Sequence, residues 1–276
     1  MNHLLRELAP VSDRGWEEIE AEAKQALATY LVARKLVDFT GPAGWTKSSV
    51  HTGRVEPVAT APAGGVDALI RTVQPLVELR TDFDVARAEL DAIDRGTRSP
   101  DLDVVVDAAK RLAEAEDRAV FRGFSAAQII GIAEATPHDP VSIPDDYEDY
   151  PRPVAQAVAV LRQAGVDGPY GIALGPRCYT GVIETTQRGG YPVLEHLRLI
   201  LGGPVIWAPA VDGAIVVSLR GGDFELTSGQ DVSIGYSGST PEAVSLFLQE
   251  SLTFRAHGPE AAIALTYDKP AKSRKA

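Results

Sequence analysis

Apolar residues recur at helical spacing near the start of the chain. Trp16, Ile19, Ala23, Ala26, Leu27, Tyr30 and Leu31 form one stripe. Ser12 or Asp13 can cap this segment, and the pattern predicts a helix to about Lys35. Glu17, Glu18, Glu20 and Glu22 crowd its first half, while Arg34 and Lys35 sit at its end, an order that suits the helix dipole. Two readings of the stripe stand side by side: a surface helix packed on a core, and a docking groove ending in Arg34 and Asp38. Gly41-Pro42-Ala43-Gly44-Trp45 then breaks the helix. Residues 46–80 hold short β-like pieces interrupted by Pro57, Pro62, Gly64, Gly65 and Pro75; the last piece, 73–80, alternates well. They carry too few large apolar residues for a core of their own. An arm of this kind must lean on the body of the chain or on another subunit. An active-site lid competes with that reading, and the arm's length favours the subunit.

Residues 90–96 read as a short helix with a glycine stop. A second long helix opens at Ser99-Pro100-Asp101 and runs to about Arg122, with Val105, Ala108, Ala109, Leu112, Ala115, Ala119 and Val120 on its apolar side. Prolines 137, 140, 144, 151 and 153 mark a linker-like segment. Beyond it the pattern predicts a helix over 154–164, a buried strand over 169–174, a short helix over 179–184, a polar loop over 185–191, a helix over 194–201 and a strand over 204–207. This is a smaller α/β unit, inserted between about Thr136 and Arg220. Residues 214–219, 224–227 and 232–236 predict three short strands joined by glycine turns, a compact antiparallel meander. Residues 243–256 keep a period of two, which predicts one long strand; 261–265 predict a last strand, and 270–276 a mobile basic tail.

The chain has 276 residues and a net charge of −11, enough length for a sizeable core and no basic field for nucleic acid. Its one cysteine, Cys178, rules out a disulfide framework and favours a reducing compartment. The first residues lack the apolar core of a secretory leader and no run is long enough to span a bilayer, so a cytoplasmic protein is expected.

Catalytic constellations are not found. The histidines at 3, 51, 138, 196 and 257 share no metal-ligand spacing. The carboxylates of 145–149 lack the glycine-centred pattern of a calcium loop, which favours a solvated loop over a cation site. Cys178 beside Arg177 lacks a motif that marks a base, so a structural thiol is favoured. Gly221-Gly222 lies between two strands rather than before a helix, which removes a phosphate cradle. No catalytic residue, metal or cofactor is expected.

One ordered series of short stretches carries a resemblance. It begins with Leu8-Ala9-Pro10, Trp16-Glu17-Glu18-Ile19 and Ala33-Arg34-Lys35-Leu36-Val37-Asp38 running into Gly41-Pro42-Ala43-Gly44-Trp45. It continues with Pro75-Leu76-Val77-Glu78-Leu79-Arg80, Glu89-Leu90-Asp91, Arg95-Gly96, Phe121-Arg122-Gly123, Gly168-Pro169-Tyr170 and Gly190-Tyr191-Pro192-Val193. Arg220-Gly221-Gly222-Asp223-Phe224, the run 229–236 and Pro259-Glu260-Ala261 complete it. In this series the chain resembles the encapsulins, shell proteins of bacterial and archaeal nanocompartments. The resemblance implies an α+β fold, that of tailed-bacteriophage major capsid proteins. Its peripheral domain would comprise 1–45, 82–135 and 221–265, its extended loop 46–81, its inserted axial domain 136–220 and its flexible tail 266–276. It implies a closed icosahedral homo-oligomer, of sixty subunits by the resemblance, with no nucleic acid and no membrane partner. It implies a cargo enzyme, either a dye-decolourising peroxidase tied to oxidative stress or a ferritin-like protein tied to iron storage. The cargo's C-terminal targeting peptide would dock on the inner surface against Leu27, Tyr30, Leu31, Arg34, Asp38, Asp231 and Ile234. A narrow pore for small solutes would be lined by Thr185, Thr186, Gln187, Arg188, Gly189, Gly190 and Tyr191. A phage capsid subunit and an enzyme using the 145–149 carboxylates or Cys178 are the alternatives.

Overall fold

Helix α1 (Asp13–Tyr30) starts where Ser12 accepts a hydrogen bond from the Gly15 amide at 3.0 Å. It stops five residues before the expected Lys35. The amides of Val32 and Ala33 donate to the buried Asp117 carboxylate at 3.1 and 2.8 Å, and Ala33–Lys35 turns as a 3-10 helix. A side chain from elsewhere in the fold takes the donors that helix continuation would need. A computed structural model describes residues 3–267. The expected basic tail at 270–276 lies outside them, as do Met1 and Asn2 at the chain's start.

The chain continues through β1 (Asp38–Thr40), β2 (Ser49–Pro57), β3 (Leu69–Pro75), β4 (Val77–Ala86), α2 (Arg87–Asp94), α3 (Asp103–Arg122) and α4 (Ile132–Ala135). There follow β5 (Val141–Ile143), α5 (Pro151–Gln163), β6 (Tyr170–Leu174), α6 (Pro176–Glu184), α7 (Val193–Leu201) and β7 (Val205–Trp207). The last strands are β8 (Ala214–Ser218), β9 (Phe224–Ser228), β10 (Ser233–Ser239), β11 (Ala243–Ala256) and β12 (Ala262–Tyr267).

The long strand β11 organises the first sheet. β4 pairs with it from Ala243 to Leu252, while β10 pairs at Val244–Gln249 and β9 at Leu252–Ala256, so β9 and β10 follow one another along it. β1 completes the sheet, parallel to β9. Helices α1 and α3 cover it: Ile19 and Ala23 meet Val105, Ala109 and Leu112 over Val85, Leu246 and Leu248. The predicted meander does not form. β9 and β10 both pair with β11 rather than with each other, and β8 belongs to the second sheet. A fourteen-residue strand arriving later in the chain offers each of them more ladder than a short neighbour would.

The second sheet has the order β5-β12-β8-β6-β7. β6 and β8 are buried along their whole length, as expected of apolar runs without alternation. Helices α5 and α7 pack on it through Val154, Val158, Leu161, Leu197 and Leu201. β12, which the resemblance puts in the peripheral domain with the rest of 221–265, pairs with β5 and β8 of the second sheet. Thr266 and Tyr267, expected in a flexible tail, still belong to β12.

The arm is a two-stranded hairpin of β2 and β3. The expected strand at 73–80 is split at Leu76: Pro75 ends β3, and Val77 starts ten residues of pairing with β11. Val55, Val58, Leu69, Ile70 and Val73 are exposed on the hairpin.

Candidate functional site

The 3-10 turn that ends α1 leaves a groove between that helix and the β10 end of the first sheet. Its volume is about 620 Å³. Leu27 and Leu31 form the helix wall, Val232, Ile234 and Leu248 the sheet wall, and Leu4 and Arg6 the N-terminal wall. Ile234 and Leu248 are register partners across β10 and β11, which puts their side chains on one face. Leu27 and Leu31 remain half-buried because Ile19, Ala23 and Ala26 take the core positions of α1.

Arg34 lies at the end of the groove. Its Nε donates to Glu116 Oε1 at 2.8 Å, its Nη2 to Glu116 Oε2 at 2.5 Å and Glu250 Oε2 at 3.0 Å, and its Nη1 to Asp231 Oδ1 at 2.7 Å. Glu116 and Glu250 are fully buried. Burial opposes the Arg34 charge, but the bonds and charges of Glu116 and Asp231 outweigh it and raise its proton affinity. Glu250 is pushed well above the usual carboxylate range by burial, and then by the neighbouring Glu116. Burial likewise pushes Asp117 up to about 7, against the opposing bond from Ala33. Arg34 therefore has its donors committed inside the fold, and it shapes the groove rather than offering a free charge.

Of the residues expected at a docking surface, the groove gathers Leu27, Leu31, Arg34, Asp231 and Ile234. Tyr30 and Asp38 are not among its lining residues. Tyr30 turns toward Trp207, ring centroids 5.8 Å apart, with Lys110 over its face. Asp38 accepts from the Gly222 amide at 2.6 Å and so ties β1 to the turn before β9. Leu4, Arg6, Lys24, Lys35 and Leu248 line the groove unforeseen. Lys24 follows from helical spacing with Glu20, Leu27 and Leu31; Leu4 and Leu248 are brought in only by the tertiary fold.

Residues 185–191 form a small hairpin-like loop between α6 and α7, closed by the Thr186–Pro192 bridge and the Gln187 amide on the Tyr191 carbonyl at 2.8 Å. Gly189 and Gly190, with φ of 105° and 81°, supply the conformations that side chains disfavour. Glu148 braces it by accepting from the Arg188 amide at 2.8 Å, and His196 holds the Gln187 amide side chain at 2.8 Å. The Arg188 side chain is 96% exposed. The acidic run at 145–149 is thus a capped turn supporting the loop, with Asp146 accepting from the Glu148 amide. Cys178 is buried and contacts the Tyr267 hydroxyl at 3.0 Å. Among the described residues no helix is long and apolar enough to cross a membrane.

Comparison with known proteins places this architecture. A family model described as "Encapsulating protein for peroxidase" (Linocin_M18) matches residues 1–253. A type 1 encapsulin shell protein of Rhodospirillum rubrum is 53% identical over 270 residues, covering 96% of each chain. A virus-like particle from Pyrococcus furiosus superposes with a TM-score of 0.65 at 18% identity, covering 90% of this chain and 98% of the other. The capsid of the myovirus phage XM1 superposes with a TM-score of 0.55 at 9% identity, over 87% and 92% of the two chains.

Proposed function

This chain belongs to the encapsulin shell-protein family, and from that premise we propose that its shell encloses a cargo enzyme by docking the cargo's C-terminal targeting peptide in the α1–β10 groove. The coarser points need no proposal. The fold is that of tailed-bacteriophage major capsid proteins, the role is structural rather than enzymatic, and the subunits assemble into a shell. The finer reading is a closed particle of sixty subunits in the cytoplasm, with a dye-decolourising peroxidase or ferritin-like cargo. In the same reading the peripheral domain, 1–45, 82–135 and 221–265, is built around the first sheet, the axial domain, 136–220, around the second with β12 lent to it from the peripheral segment, and the β2–β3 hairpin is the extended loop, 46–81. Thr185, Thr186, Gln187, Arg188, Gly189, Gly190 and Tyr191 line a pore for small solutes; short polar residues and glycines in a braced loop support that reading.

The observation that carries the docking reading is the groove itself. Five of the seven expected docking residues converge on one concavity whose helix wall, Leu27 and Leu31, stays half-buried. A short extended peptide can be recognised by such a pocket with little area. Tyr30 and Asp38 then act behind the site, Tyr30 by packing and Asp38 through the β1–β9 junction.

Leu27→Asp and Leu31→Asp test the reading without touching the Arg34 network. Both variants are expected to form shells of normal size that are empty of co-purifying protein. Normal loading in both would remove the groove from the account. Arg34→Glu is a poorer test, because it would set a carboxylate among Glu116, Glu250 and Asp231 and unfold the junction.

A further inference from the structure

The groove has an open strand edge beside it. Among the described residues β10 pairs with β11 and with no other strand, so its second side is a sheet edge. The Tyr236 amide turns away from β11 and donates to the Leu4 carbonyl at 2.8 Å. Main-chain groups alternate sides along a strand, so Ile234, two residues earlier in the same register, also directs its N–H and C=O away from β11. Ser233 and Gly235 direct theirs toward it. The neighbouring amides on that edge are engaged, Val232 with Asp231 Oδ1 at 2.9 Å and Tyr236 with Leu4. The register shift between Tyr236 and Gly238 ends regular pairing on the far side.

A polar edge beside an apolar trough is a template for one more strand. We propose that the groove's occupant is a single extended peptide that adds to the edge of β10, one of its residues exchanging both main-chain hydrogen bonds with Ile234. The inference rests on the docking reading above and specifies how that docking is done. The Leu4 segment already seats on this edge, and the guest continues its line. Strand geometry turns every second guest side chain toward Leu27 and Leu31, and the rest away. A volume of about 620 Å³ takes a few residues of one chain, as ordinary ligand clefts do, and excludes a folded domain. Lys24 on the rim makes no ion pair among the described residues, and Lys35 beside it donates to the Ala28 carbonyl at 2.9 Å; two ammonium groups at one end of the groove favour a guest ending in a free carboxylate.

The probe is a labelled synthetic dodecapeptide matching the C-terminus of the protein that co-purifies in the shell, titrated into empty shells. Twelve versions follow, each N-methylated at one main-chain nitrogen. One position is expected to lose about tenfold in affinity while its two neighbours bind like the parent peptide. Equal losses throughout, or none, would overturn strand addition while leaving the groove in place. A parent peptide that fails to bind would instead remove the docking reading, and this inference with it. Ile234→Pro, which deletes the outward N–H on an edge strand, is expected to assemble and to weaken the parent peptide about tenfold; Ile234→Val is expected to bind normally. Slow hydrogen exchange at the Ile234 amide in empty shells would mean that a second copy, or this chain's own terminus, already covers the edge, and would also overturn the proposal.

Discussion

Arg34 joins three parts of the fold: the turn after α1, the buried Glu116 of α3 and the buried Glu250 of β11. Removing that cation would leave the buried Glu116 without its ion-pair partner, a loss of roughly 3–5 kcal/mol for a broken buried pair. Asp117, next to Glu116, serves a different purpose, since it accepts the amides of Val32 and Ala33 and so ends α1. Burial holds its pKa up to about 7, above the value of an unfolded aspartate near 3.9. The folded state therefore binds the proton more tightly, and stability falls as pH rises from about 4 to 7. Asp117→Asn keeps an acceptor for the two amides and carries no charge. Thermal unfolding of the shell is expected to show Asn gaining over Asp as pH rises from 5 to 8; a constant difference across that range would show that Asp117 does not titrate there. Little of this was legible in the sequence. Glu116 and Asp117 fall four and five residues after Leu112, on the inward face of an alanine-rich helix, which flags them as buried without naming their partners. Leu27 and Leu31 were legible as a stripe, whereas Asp38 was drawn to the groove by proximity in sequence and the fold turned it elsewhere.

Among the elements, the β2–β3 hairpin has the least support from its own subunit. Val55 and Leu69 lie on one face of it, 53% and 62% exposed, and its cross-strand pairing does not depend on them. Exposed apolar strands of this kind are protected in native proteins by a partner. The double variant Val55→Asp, Leu69→Asp is expected to keep the subunit's far-UV circular dichroism and to elute as small oligomers. Intact particles from that variant would show that the hairpin is not an assembly contact. The longer strands followed from alternation and from unbroken apolar runs, and β11 was legible as one long strand for that reason, whereas the three-residue β1 and β5 carry too little pattern to be read. Strand partners were not. β9 and β10 are separated by a short turn, which in isolation suggests a hairpin, yet both find more pairing along β11. β12 lies between β5 and β8 in the second sheet, a placement that its local pattern does not encode.

At the scale of the whole molecule, two sheets with separate helix layers, an arm and a braced loop make one subunit of a shell-forming family. The fold the chain shares with phage capsid proteins is here that of a shell protein of the encapsulin family. Repeated heterologous contacts between identical subunits either close or grow without limit, and a closed shell requires the arm and the two sheet units to meet their neighbours at fixed angles. The central claim is that this closed shell holds its cargo at the α1–β10 groove. Electron cryo-microscopy of the particle purified with its co-purifying protein tests that claim most directly. The account predicts a closed icosahedral shell with extended peptide density beside Leu27, Leu31 and Ile234 on its inner surface. A loaded shell with that groove empty, or a particle that never closes, would contradict it.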